Sequence, residues 1–228
     1  MKNIDDICVI IQARLGSQRV PQKMIKDFAG TTLTDIAIDK IKSCNSFPIE
    51  NFYLSAWEEE LKQIANKHGV KTFDRSEKSA KSEGTPMTEM YEWWDKLPYK
   101  YCVLVNACAP FLSSETIDDF VLKYSQSKSD GMFGVIEKKN YFWNSEKKII
   151  TPLTEAVMNT KTADPIYEAA HCLYAGRLDK IGSGIWMGDF NKQAEIELFT
   201  MSEEEVFDVD YMWQFRTAES IYKTMGDN

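Results

Sequence analysis

Short, unbroken apolar runs alternate along the chain with segments whose apolar positions recur every three or four residues, the two periodicities expected of buried strands and of helices. Ile7 to Ile11 (ICVII) and Tyr101 to Val105 (YCVLV) contain almost no polar position, which predicts strands covered on both faces. Between them, Phe28-Ala29-Gly30 reads as a turn, and Thr34 is placed to cap a helix carrying Ile36, Ala37 and Ile41 on one side. Asn51 to Ser55 reads as a strand, Trp57 to His68 as a helix closed by Gly69, and Val70 to Phe73 as a further short strand. Met87 to Leu97 puts Met87, Met90, Tyr91 and Trp94 on one helical face, and Ser113 or Ser114 can start a helix reaching about Lys123. Strands are expected at Asp130 to Glu137, Tyr167 to Arg177 and Glu195 to Thr200, and a last helix runs through Ala218, Ile221 and Tyr222. Repeated strand–helix alternation predicts an α/β class with a mostly parallel sheet wrapped by helices.

Two stretches break the rhythm. Asp74 to Pro86 (DRSEKSAKSEGTP) is polar without regular apolar spacing, and loops of that length inside compact domains are usually functional or mobile. Residues 138–166 mix aromatics, charges and prolines, and the Tyr141-Phe142-Trp143 cluster within them needs a partner surface, another chain being one candidate. With 228 residues the whole chain, 1–228, fits a single domain carrying 138–166 as an insertion.

A net charge of −8 argues against general binding of nucleic acid or of an anionic membrane. Apolar runs stay well short of membrane-spanning length and the opening MKNIDD has no apolar leader core, so a cytoplasmic protein is expected. Five cysteines, Cys8, Cys44, Cys102, Cys108 and Cys172, are widely spaced without a CxxC pair, the pattern of reduced thiols rather than of a disulfide framework or zinc site. In so acidic a chain an anionic ligand must be held by a local cationic cluster.

The segment after the first strand supplies one. Gln12-Ala13-Arg14-Leu15-Gly16-Ser17-Gln18-Arg19-Val20-Pro21-Gln22-Lys23 brings Arg14, Arg19, Lys23 and Ser17 to the strand's carboxyl end, where open α/β sheets bind ligands. It is neither a GxxxxGK[ST] loop nor a GxGxxG fingerprint. Near the other end, Asp208 and Asp210 stand two apart, so on extended chain their carboxylates point the same way and can share a hard cation such as Mg²⁺. The competing reading makes Asp210 a cap of the final helix.

Ala13, Arg14, Ser17, Arg19, Pro21 and Lys23 fall on the pattern x-A-R-x-x-S-x-R-x-P-x-K, and Asp208-Val209-Asp210 with Phe215, Ala218 and Glu219 falls on a DVD-x-x-x-x-F-x-x-A-E closing motif. Both resemble the cytidylyltransferases that activate acidic sugars, the acylneuraminate and 3-deoxy-manno-octulosonate enzymes. The resemblance implies a Rossmann-like three-layer nucleotidyltransferase fold. It implies transfer of CMP from CTP to the anomeric hydroxyl of an acidic sugar for surface glycan or polysaccharide synthesis. It further implies a homodimer formed through an extended arm at 138–166, which also covers the partner's sugar pocket. Carried over residue by residue, Arg14, Lys23 and Asp210 become catalytic. Ala13, Arg14, Ser17, Arg19, Lys23 and Arg75 bind nucleotide, and Asp208 and Asp210 bind Mg²⁺. Asn106 stands where relatives place a sugar-contacting glutamine, and His171 lies in the strand that brings a polar group to the sugar. From the residues alone, His171 in its apolar run reads as a hydrogen-bonded core histidine. Gln18, Met24 and Cys108 depart from the pattern, Cys108 falling where octulosonate enzymes have a metal-binding aspartate. Two other readings therefore stand beside the first: a same-fold nucleotidyltransferase using another nucleotide or a sugar phosphate, and a noncatalytic nucleotide-binding relative.

Overall fold

The computed structural model describes residues 1–81, 84–151, 159–192 and 195–226. Its strands are β1 (Ile7–Gln12), β2 (Phe52–Ala56), β3 (Lys71–Asp74), β4 (Tyr101–Val105), β5 (Gly131–Lys138), β6 (Ile166–Arg177) and β7 (Ile196–Thr200), in the order β3-β2-β1-β4-β6-β5-β7. β1 to β4 run parallel, β7 runs parallel to β5, and β6 alone is antiparallel to its neighbours β4 and β5. The helices are α1 (Leu33–Ser43), α2 (Glu59–His68), α3 (Glu77–Ala80), α4 (Met87–Met90), α5 (Ser114–Gln126), α6 (Leu178–Ile181) and α7 (Met212–Gly226).

Alternation along β1 divides the core between the two faces of the sheet. Ile7, Val9 and Ile11 pack with Ala37, Ile38 and Ile41 of α1, Leu61 of α2, and Ile117, Phe120 and Val121 of α5. Cys8 and Ile10 face the other way, onto Trp93, Trp186, Leu178 and Ile181. Both faces are thus dry, which is why the strand has no solvent-side residues and reads as continuous apolar sequence. A third cluster, Val20, Phe28, Leu33, Ile36, Val209, Phe215 and Ala218, lies apart from the sheet. It fastens α7 and the segment before it onto the first loop and the start of α1.

Local chemistry moved some element boundaries. α1 is capped two residues earlier than the sequence suggests: the Thr32 hydroxyl accepts from the Asp35 amide at 3.0 Å, while Thr34 Oγ1 donates to the Met24 carbonyl at 2.7 Å. Thr34 therefore ties down the loop instead of capping the helix. Gly69 closes α2 in the left-handed conformation, at φ 68°, that glycine adopts without penalty. Met87 to Leu97 is not one helix. It breaks after Met90 and resumes as a 3₁₀ turn at Glu92–Trp94, which buries Trp93 fully and lets its indole N–H donate to Gln12 Oε1 at 2.9 Å. A buried indole needs such a partner, and a continuous helix would put Trp94 in its place.

The 138–166 segment joins the antiparallel ladder of β5 and β6, whose ends meet at Lys138 and Ile166. Its described part folds back through a bridge between Trp143 and Ile149 and leaves Trp143 and Ile150 largely exposed. Residues 152–158 of the expected arm lie outside the described residues.

Candidate active site

The carboxyl ends of β1, β2 and β4 are level, because Ile11 pairs with both Leu54 and Val105, so the residues that follow each strand meet at one rim. Ala13 N–H donates to the Ser55 carbonyl and Asn106 N–H to the Cys172 carbonyl, extending the ladders by one step into that rim. Above it opens a cleft of about 480 Å³ lined by the first loop, including Arg14, Ser17, Arg19 and Lys23, together with Cys108 and Asp210.

Lys23 and Asp210, 187 positions apart in sequence, are joined within this cleft. Lys23 is buried, its ammonium donating to the Val209 carbonyl and lying 3.4 Å from Asp210 Oδ1. Arg19 pairs with the same oxygen at 2.8 Å and lies over the Tyr211 ring at 5.0 Å. The Tyr211 hydroxyl and the Asp210 carboxylate both hold the Arg19 guanidinium above its usual range. The helix-cap reading of Asp210 does not hold: Gln214 Oε1 accepts the amides of both Asp210 and Tyr211, at 2.8 and 2.7 Å, leaving the aspartate side chain to the cations.

Asp208 turns to the neighbouring strand end. Its Oδ1 accepts from Asn106 Nδ2 at 3.4 Å, and the same amide donates to the His171 carbonyl at 2.9 Å. The Val209 amide donates to the Cys108 carbonyl at 2.9 Å, so the acidic segment runs along the loop after β4. Burial first, and then the charge of Asp210, push the Asp208 carboxyl above the usual range, with Lys23 and the Asn106 hydrogen bond opposing. The Cys108 thiol beside it is likewise pushed up by burial.

The remaining expected residues sit differently from one another. Arg14 lines the cleft and reaches the Ala80 carbonyl at 3.5 Å. Arg75 lies behind the loop rather than in the cleft. It is buried, lowered to about 10 by that burial, and spent on Ala13 O and on the Ser79 hydroxyl and carbonyl, so it shapes the loop from beneath. His171 is not a core histidine. It is exposed, takes the left-handed region at φ 55°, and its Nδ1 lies 3.0 Å from the Tyr174 hydroxyl, opposite an irregularity in β5 between Phe133 and Val135. The sheltered histidine is His68, held by Asp35 at 2.7 Å. Gln12, Tyr211 and Gln214 take part in the site although the sequence reading passed over them. Gln12 was marked only by being the first polar residue after an apolar strand.

A mostly parallel α/β sheet with a cationic loop and a carboxylate pair meeting over its strand ends defines a Rossmann-like protein of the nucleotidyltransferase class. Within that class the chain belongs to the family described as "Cytidylyltransferase", whose model matches residues 8–204. It is 26% identical to a pseudaminic acid cytidylyltransferase of Campylobacter jejuni over 98% of this chain and 97% of that one. It is 27% identical to a 3-deoxy-manno-octulosonate cytidylyltransferase of Rickettsia felis over 94% and 83% of the two. Its fold matches that of a CMP:2-keto-3-deoxy-manno-octonic acid synthetase solved with CTP at a TM-score of 0.72, with 13% identity, covering 97% of this chain and all of the other. Among the described residues no helix is long and apolar enough to cross a membrane.

Proposed function

We propose that this cytidylyltransferase moves CMP from CTP to the anomeric hydroxyl of an acidic sugar of the nonulosonic or octulosonic type, releasing pyrophosphate. The meeting of Arg19 and Lys23 with Asp210 is the observation that carries the reading, because it brings triphosphate-binding and cation-binding groups to one place. In the reaction the sugar oxygen bonds to the α-phosphorus, the bond from that phosphorus to the bridging oxygen of the pyrophosphate breaks, and the hydroxyl proton passes to solvent. Such transfers ask a protein for positioning and for neutralisation of phosphate charge. Arg14, Arg19 and Lys23 supply the positive charge, Lys23 from a buried position where it is worth most. Ala13 and Ser17 shape the same loop, with Arg75 fixing its base through Ala13 O. Asn106 and His171, linked to one another and to Asp208, are assigned to the acceptor sugar.

The acidic pair suits Mg²⁺. Both donors are hard oxygens, and Asp208 is disfavoured in its charged form by burial and by Asp210, a strain that a dication relieves. Among the described residues no cluster of three or more His, Cys, Asp or Glu side chains could hold a metal alone, so the remaining ligands would be water and substrate phosphate. Bound there by Asp208 and Asp210, Mg²⁺ would draw charge from the phosphate oxygens.

For the sugar, a second cavity of about 690 Å³ combines apolar walls from Met90, Tyr91 and Trp186 with the polar Thr85, Asp189 and Asn191, which favours an acid bearing both apolar and hydrogen-bonding substituents. Tyr174, the partner of His171, packs in the same aromatic cluster as Tyr91, Trp186 and Met187. The exposed Trp143 and Ile150 favour a homodimer through 138–166. Pyrophosphate release measured with CTP, Mg²⁺ and a panel of ulosonic acids tests the reading. Turnover with one of them is expected, whereas failure to bind CTP, or preference for another nucleoside triphosphate, would overturn it.

A further inference from the structure

The charges of the site neutralise one another. Asp210 Oδ1, on one of the two carboxylates assigned to cation binding, is engaged by two of the groups assigned to phosphate, Arg19 at 2.8 Å and Lys23 at 3.4 Å. Its backbone cannot swing away freely, since Gln214 holds its amide and Lys23 holds the adjoining Val209 carbonyl. Tyr211 supports Arg19 from the other side. Asp208, two residues away, accepts from the neutral Asn106 instead of from a cation. Phosphate binding to the arginine and lysine therefore competes with Asp210, and a divalent cation on Asp210 Oδ1 competes with the arginine and lysine. Each ligand therefore weakens the pairing that opposes the other.

We infer that Asp210 is a latch: by pairing with Arg19 and Lys23 it opposes binding of nucleotide alone and of cation alone, and couples the binding of the two. The inference rests on the proposed function, since it takes the nucleoside triphosphate and the divalent cation as the ligands. Coupling of this kind is reciprocal, so it can be read from either ligand.

Titration calorimetry with CTP, in EDTA and in Mg²⁺, tests it on folded protein. For the wild type CTP should bind at least about tenfold tighter with Mg²⁺ than with EDTA, the size expected of one part-exposed and one sheltered ion pair. Asp210→Asn should bind CTP in EDTA about tenfold tighter than wild type and gain little from Mg²⁺. Asp208→Asn removes the same charge without releasing a cation, and should gain clearly less in EDTA. Arg19→Met should bind Mn²⁺ without nucleotide severalfold tighter than wild type by electron paramagnetic resonance, and it decides the matter should Asp210→Asn fail to fold. If wild type binds CTP with Mg²⁺ but Asp210→Asn gains nothing in EDTA, or Asp208→Asn gains as much, the latch is overturned and the proposed function stands. If wild type binds no CTP under either condition, both fall.

Discussion

The two ends of the cleft are built on different principles. At the phosphate end, every charged group stands on apolar packing: Val20 and Val209 are buried against Phe28, Phe215 and Ala218, and the Phe28 and Phe215 rings meet edge-on at 5.2 Å. The Ala29 amide donates to Glu219 Oε1 at 3.1 Å, and Thr34 ties down Met24, so the loop of 13–30 and the segment before α7 are held from both sides. At the end proposed for the sugar, His171 is exposed opposite an irregularity in β5, backed by an aromatic chain of Phe133, Tyr174 and Phe190, the last 68% exposed. A firmly braced end suits the triphosphate proposed to bind there. An open aromatic end can be re-cut for different sugars without disturbing it.

That contrast can be broken. Phe215→Ala should remove the largest part of the brace, costing about 3 to 5 kcal/mol of stability by thermal or urea denaturation and loosening nucleotide binding along with it. A loss below about 1 kcal/mol would mean that the apolar clip does not hold the phosphate end. Lys23→Ala and Asp210→Ala should each lower turnover at least about a hundredfold while the fold survives, the scale of removing a charge-stabilising group. Near-normal turnover in either would remove that residue from the chemistry.

Smaller effects sharpen the comparison. His171→Ala should raise the KM for the sugar about tenfold, the worth of a hydrogen bond to a charged group, and leave the KM for CTP unchanged. A matching rise for CTP would show that the two ends are not independent. Thr34→Val should cost about 1 kcal/mol of stability through the lost bond to Met24 O, with no effect on sugar KM.

The same contrast explains what could be seen in the sequence. The strands and the phosphate end were legible because their determinants are local or strictly spaced: continuous apolar runs, a glycine at the end of α2, two aspartates in period two, six residues of a loop motif. The sheet's one reversed strand, β6, left no local mark, since an apolar strand reads alike in either direction. His171 was misread as a core residue because its neighbours Ala170 and Cys172 are buried, and although histidine enters the left-handed region more readily than most residues, the preference is too weak to mark one position in an apolar run. Arg75 looked like any loop arginine, and only the folded chain shows it spent on the backbone beneath the cleft. The break in Met87 to Leu97 came from a tertiary demand, the Trp93 indole seeking Gln12, which overrides helical periodicity.

A crystal structure of the protein with CTP and Mg²⁺ addresses the central claim most directly. The account predicts the triphosphate between Arg14, Arg19 and Lys23, with a cation on Asp208 and Asp210 and the Arg19–Asp210 pair parted. A nucleotide bound away from the first loop, or a cation that leaves both aspartates untouched, would contradict it.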